Sequence, residues 1–152
     1  MDTEWRELDL TAHDVCGAPY GGAVAVVRQP LRGSTTLVPL GGGDTGTARL
    51  TIFNSAGCKI QELSLARDDP SGRRSLAGAD QRIVGLGWTD REELLLVSED
   101  GGARLFDVRG TLIGAFPMLP PAVLGDGADG IAVREIHVWG DGVLVLASSM
   151  SM

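Results

Sequence analysis

Two pairs of acidic side chains, Glu92-Glu93 and Glu99-Asp100, bracket the apolar run 94–97. Paired carboxylates can perform general acid–base chemistry of the glycosidase type, one protonating the leaving group while the other activates water or attacks. Their position gives them a plainer role, since acids at the two ends of an apolar strand mark where it meets water. Gly17 and Gly22 have the glycine spacing of a phosphate-binding loop, but Ala23 and Val24 stand where that loop needs a lysine and a hydroxyl. Both the charge that meets phosphate and the oxygen that meets the metal are therefore missing. The run 125–130, "GDGADG", fits G-x-G-x-x-G to the letter. A dinucleotide site needs a strand before that motif and a helix after it. Here "MLPPAVL" precedes it and the alternating "IAVREIHVW" follows, which suits a loop between β-units. His13 and His137 have no neighbours of the kind a metal site needs, and Cys16 and Cys58 form neither C-x-x-C nor a zinc pattern. They read as free thiols. No G-x-S-x-G elbow occurs. The residues thus nominate no catalytic, cofactor-binding or metal-binding side chain, no cofactor, and no particular partner-binding residue.

Bulk properties narrow the partners. The chain has 152 residues, is 43% hydrophobic, and carries a formal net charge of −7. Phosphate neutralisation needs clustered Lys and Arg, so a nucleic-acid partner is not expected. The basic group Arg67, Arg73 and Arg74 is offset by Asp68 and Asp69 and reads as a solvated loop. No apolar run approaches the roughly 18–20 residues that cross a bilayer as a helix. The acidic start "MDTEWRELDL" lacks the apolar centre of a signal peptide. A cytoplasmic setting is the expectation.

Short apolar segments, each closed by Gly, Asp, Asn or Pro, dominate the chain and predict an all-β fold. The segments repeat. "FNSAGCKIQEL" (53–63) and "FDVRGTLIGAF" (106–116) share Phe, a Gly four residues later, and Ile after three more. A second template runs from an apolar strand to an aromatic, a turn, and four apolar residues: 15–27 with Tyr20, 83–97 with Trp88, and 134–146 with Trp139. In the first copy Gly21-Gly22 supplies the turn, with a positive φ expected at one of them at least. The run 83–116 then divides into strands at about 83–88, 93–98, 103–107 and 111–116. Four antiparallel strands at a spacing of about fifty residues are the mark of a propeller blade. The expected architecture is a partial β-propeller of about two and a half WD-repeat-like blades, not closed into a ring. Blade one spans about 15–65, blade two about 83–116, and the first half of blade three about 131–148. Gly- and Pro-rich loops interrupt it near 30–47 and 66–81. Trp88 and Trp139 end their first strands, which predicts that burying them packs one blade on the next. Two and a half blades leave apolar surface uncovered, so the chain is expected to be a piece of a longer protein.

With the blades placed, "GAPYGGAVAVVRQP" (17–30), "LTIFNSAGCKI" (50–60), "IVGLGWTDREELLLVSEDGGARLFDVRG" (83–110) and "AFPM" (115–118) resemble the N-terminal region of the vacuolar protein sorting-associated protein 16 family. The family shows an A-P-Y-G-G-P-I-A-like hairpin, an I-Y-S-x-S-G-like turn, and L-G-W-S-x-x-E-E-L-L-x-V-x-E-D-G. The likeness is carried most specifically by Tyr20-Gly21-Gly22, Leu86-Gly87-Trp88 and Glu92-Glu93-Leu94-Leu95, and it spans most of residues 5–146. The loops at 31–47 and 66–82 depart from the family pattern, and the rest of the propeller and the α-solenoid are absent. The resemblance implies a non-catalytic scaffold of the HOPS and CORVET tethering complexes, peripheral on late endosome, lysosome or vacuole membranes. It implies other class C vacuolar protein sorting subunits as partners and indirect membrane contact. Binding of the SM-type partner, vacuolar protein sorting-associated protein 33, belongs to the solenoid. A propeller module of another coat or transport complex is the alternative. A propeller hydrolase would need polar groups converging from the innermost strands, which read as too apolar for it.

Overall fold

A computed structural model describes residues 13–29, 48–65, 82–119 and 131–149. Alternating and continuous apolar runs become strands, and the turn residues between them reverse the chain. Strands β1 (His13–Gly17), β2 (Val24–Arg28), β3 (Arg49–Phe53) and β4 (Lys59–Ser64) form the first antiparallel sheet in sequence order. Strands β5 (Ile83–Trp88), β6 (Leu94–Ser98), β7 (Gly102–Phe106) and β8 (Leu112–Pro117) form the second in the same order. A third sheet holds β9 (Ile131–Trp139) and β10 (Gly142–Ser149). The result is an open, partial propeller, and among the described residues no sheet closes into a barrel. "GDGADG", the basic loop Arg67–Arg74, and most of the two long loops lie outside the described residues.

The sheets stack through two apolar layers. Ala25, Val27, Leu50 and Ile52 of the first sheet meet Trp88, Leu94, Leu96 and Phe106 of the second. The opposite face of the second sheet presents Leu95, Val97 and Ala103 to Val133 and Ile136 of the third. Strand β6 is buried along its whole length because it contributes to both layers. That explains why its sequence is continuously apolar rather than alternating. Gln29 adds a polar tie between sheets, accepting from the Ile83 N–H at 3.1 Å and donating to the Ile83 carbonyl at 2.7 Å.

The duplicated Phe-x-x-x-Gly template is one turn built twice. Asn54 Oδ1 accepts from the N–H groups of Ala56 and Cys58 at 3.0 and 2.9 Å, and Asp107 Oδ1 accepts from those of Arg109 and Thr111 at 2.8 and 2.9 Å. Such a side chain closes a turn by standing in for backbone acceptors. The fourth residue then adopts positive φ, 82° at Gly57 and 81° at Gly110, where glycine carries no steric penalty. The Thr111 N–H, aided by that of Arg109, holds the Asp107 carboxyl below the ordinary aspartate value. A carboxyl lowered on folding stabilises the fold above its unfolded value of about 3.9, and that contribution is lost as pH falls through the lower folded value. Asp107→Asn copies Asn54 and should keep the turn while removing this part of the acid dependence. Denaturant midpoints between about pH 5 and pH 2 check it: wild type should lose more stability than Asp107→Asn.

Candidate interaction surface

The stretch around Gly17 and Gly22 makes a hairpin turn containing one 3-10 turn, Pro19–Gly21, and leads into strand β2 rather than the α-helix a phosphate loop opens. The Ala18 N–H meets the Ala23 carbonyl at 2.7 Å, and Gly21 has φ 73° as expected for this turn. Tyr20 shares the positive φ, at 65°, and is 87% exposed. A Cβ on Gly22 would lie 2.9 Å from Glu92 Oε1, which places this turn beside the equivalent turn of the second sheet.

The acids are built into turns. Glu92 has φ 58°, and Asp100 Oδ1 accepts from Ser98 Oγ at 2.7 Å and from the Gly102 N–H at 3.0 Å. Cys16 is half-buried, which pushes its thiol above the ordinary range, and Cys58 is exposed; neither forms a disulfide. His137 Nε2 sits 2.9 Å from Glu135 Oε1 on an exposed surface.

Among the first strands of the three sheets, β5 is apolar as expected, whereas β1 and β9 carry some polar side chains. His13, Asp14, Arg134 and Glu135 of these strands, with Arg82 and Glu99 at strand ends, line a cleft of about 520 Å³ together with apolar residues of β1, β5 and β9. Its groups serve the fold: Asp14 accepts from Gln29 Nε2 at 2.6 Å, and Arg134 Nε donates to Ser148 Oγ at 2.7 Å. The Glu99 N–H extends the β5–β6 pairing by donating to the Arg82 carbonyl, and its carbonyl accepts from the Val133 N–H of the third sheet, each at 2.9 Å. Among the described residues no three acidic, His or Cys side chains form a metal-binding group.

The three aromatics are not equivalent, against the sequence expectation. Trp88 is 6% exposed and its Nε1–H donates to the Cys16 carbonyl at 3.0 Å, so it does pack the second sheet on the first. Trp139 is 60% exposed. The reason is register. Gly17 pairs with Val24, Trp88 with Leu94, and Trp139 with Gly142, so the turns between them differ in length. A shift of one residue moves a side chain to the other face. Val138, paired with Val143, is the one that packs against the second sheet as Trp88 packs against the first. Trp139 instead shares its face with Leu144 and Leu146, 58% and 59% exposed, which no described residue covers.

Two residues that motif reasoning passed over set the seam between the second and third sheets. A Cβ on Gly85 would run into the Ile136 side chain, and one on Gly87 would lie 2.6 Å from Val138 Cβ. Glycine inside a strand marks a close approach of another element, and the alternation in "VGLGW" carried that signal. The far face of the third sheet stays exposed at Trp139, Leu144 and Leu146, and among the described strands β10 pairs with β9 alone.

A family model described as Vps16, N-terminal region, matches residues 2–152. Protein VACUOLELESS1 of Arabidopsis thaliana is 28% identical over 143 residues, covering 94% of this chain and 14% of that protein. The probable vacuolar protein sorting-associated protein 16 homolog of Schizosaccharomyces pombe is 26% identical over 147 residues, with the same two coverages. The vacuolar protein sorting-associated protein 16 homolog of Drosophila melanogaster is 28% identical over 147 residues, covering 94% of this chain and 15% of that protein. The chain thus spans about a seventh of the length of these curated relatives.

Proposed function

The chain belongs to the Vps16 N-terminal region family, and on that premise we propose that it is a non-catalytic propeller module acting in vacuolar protein sorting. The match over residues 2–152 carries this reading. The whole of residues 1–152 is taken as the N-terminal part of the propeller. The module serves the assembly of a membrane-tethering complex of the HOPS or CORVET type, and through it vesicle fusion at late endosome, lysosome or vacuole membranes. Its partners are the other class C subunits, and its membrane contact is indirect. The SM-type partner is bound by the α-solenoid of the whole protein. The stacked sheets support a scaffold role: Asp14 and Arg134 of the first strands are engaged in bonds within their sheets, and Asp100 in shaping a turn.

The test is affinity purification of the tagged chain, and of a full-length relative carrying this segment in place of its own, from cells that lack the endogenous protein. Recovery of the other class C subunits with the hybrid, and restored delivery of a vacuolar cargo, is the expected result. A folded, stably expressed hybrid that recovers none of them would overturn the reading, and recovery of a different coat complex would replace it.

A further inference from the structure

Among the described residues two that are not glycine have positive φ, Tyr20 and Glu92, and they belong to adjacent turns at one end of the first two sheets. Tyr20 follows Pro19 at φ 65°, ψ 22° in the turn between β1 and β2, and Glu92 has φ 58° in the turn between β5 and β6. The left-handed region suits glycine and asparagine, and a bulky side chain held there costs free energy that other contacts must offset. For Glu92 the offset is local. Its N–H donates to the Thr89 carbonyl at 3.0 Å, and the Thr89 hydroxyl accepts from the N–H groups of Arg91 and Glu93, each at 3.3 Å. The Tyr20 side chain offers no such return: it is 87% exposed, and no described residue bonds its hydroxyl. This is the exposure of a hairpin tip, beyond the strand ends and away from the sheet faces on which neighbouring blades pack. Its neighbour in the second sheet is already in place, since a Cβ on Gly22 would lie 2.9 Å from Glu92 Oε1.

We propose that the Tyr20 turn, with the Glu92 carboxylate beside it, is a docking point for a basic segment of a partner protein, an arginine or lysine side chain lying over the Tyr20 ring and meeting Glu92. The charge around the ring specifies that occupant. The β5–β6 turn carries Asp90, Glu92 and Glu93, and the β9–β10 turn carries Asp141. Arg91 is the one cation of these two turns, and Asp141 takes it at 3.5 Å. The Asp90 N–H donates to the Gly140 carbonyl at 3.1 Å and draws the two turns together. Glu92 is left with no described cation. An exposed aromatic face attracts a cation electrostatically, and a guanidinium also stacks on it. Holding a strained, exposed ring lowers stability and gains nothing within the fold, which is the balance expected of a recognition residue. The site deepens the assembly-module reading above, and rests on it only for the partner being a protein.

Tyr20 is the single tyrosine of the chain, so labelling tyrosine rings with carbon-13 reports on this turn alone. The probe is the blocked peptide Gly-Lys-Arg-Lys-Gly, with Gly-Ser-Thr-Ser-Gly and Gly-Glu-Asp-Glu-Gly as controls, added to the intact chain at low salt. The basic peptide should move the ring resonances saturably while the controls leave them in place, and raising the ionic strength should weaken binding by roughly threefold or more. The anisotropy of a dye-labelled basic peptide then compares variants. Tyr20→Phe should keep the affinity within about twofold, whereas Tyr20→Asn should lose about three- to fivefold and Glu92→Gln about two- to fivefold. Because Tyr20→Asn also relieves the turn, its melting temperature should stay level or rise by about 2–4 °C. Ring resonances that ignore the basic peptide, or that move equally with a control, would overturn the proposal. So would a lower melting temperature for Tyr20→Asn, which would show that the ring supports the fold, or resonances that move with chain concentration alone, which would make a second copy the occupant. A hybrid that recovers no class C subunit in the purification above, while the chain still binds the basic peptide, would count against the complex and leave this site standing.

Discussion

Trp88→Ala is expected to lower the stability of the fold by about 3–5 kcal/mol, the usual cost of deleting a buried aromatic ring. Trp88 lies between the first two sheets, and its ring is held in orientation by the bond from Nε1 to the Cys16 carbonyl. Removing it opens a cavity in the layer that joins the sheets and leaves that carbonyl without its donor. Since a domain of this size is held by only about 5–15 kcal/mol in total, the variant should be near its unfolding limit at physiological temperature. Trp88→Phe separates the two contributions. It retains most of the buried area and loses the hydrogen bond, so it should cost about 1–3 kcal/mol. Urea midpoints of the three proteins measure the series. An alanine variant as stable as wild type would show that the first and second sheets are joined elsewhere.

Gly85→Val should be the most damaging single change at the second seam, at about 1–3 kcal/mol or more for overpacking a close contact. The added side chain would occupy the space held by Ile136, so the third sheet must move away or the strand must bend. Neither is easy. Ile136 is 8% exposed within the apolar layer, and the Val133 N–H and the Asp90 N–H anchor β9 and its turn to the second sheet. The third sheet has only two strands, and such a pair is marginal without packing. Separation should therefore appear as local unfolding, with rapid amide exchange and protease cleavage in 131–149 while the first two sheets stay protected. Pairing Gly85→Val with Ile136→Ala restores room at the seam and should recover part of the loss, a coupling that a double-mutant cycle reads directly. Additive effects in that cycle would place the damage in the strand itself rather than at the seam.

Much of this was legible from local patterns. The strand boundaries expected at 83–88 and 93–98 fall within one residue of β5 and β6, because apolar runs bounded by turn residues need only their immediate neighbours to be recognised. The turns were equally local. Asn54 with Gly57, and Asp107 with Gly110, carry the side-chain oxygen and the positive φ that close them, and both are visible as residue types at fixed spacing. The family resemblance rested on the same stretches, since turns and buried strands tolerate few residue types.

The sequence by itself therefore determined the all-β class, the order of the strands, the chemistry of the repeated turn, and the kinship with the Vps16 N-terminal region. Which face each side chain occupies was decided only by the tertiary structure. Trp88 and Trp139 end their strands alike in the sequence, yet one is buried and the other 60% exposed. Strand periodicity alternates the faces, but hairpin register sets which residue begins the alternation, and the neighbouring sheet sets which face is dry. Gly85 and Gly87 show the same dependence: their role exists only because Ile136 and Val138, about fifty residues away in the chain, pack on them. Local chemistry fixes where the chain extends and turns, whereas burial is a property of two surfaces meeting, and the second surface is distant in sequence.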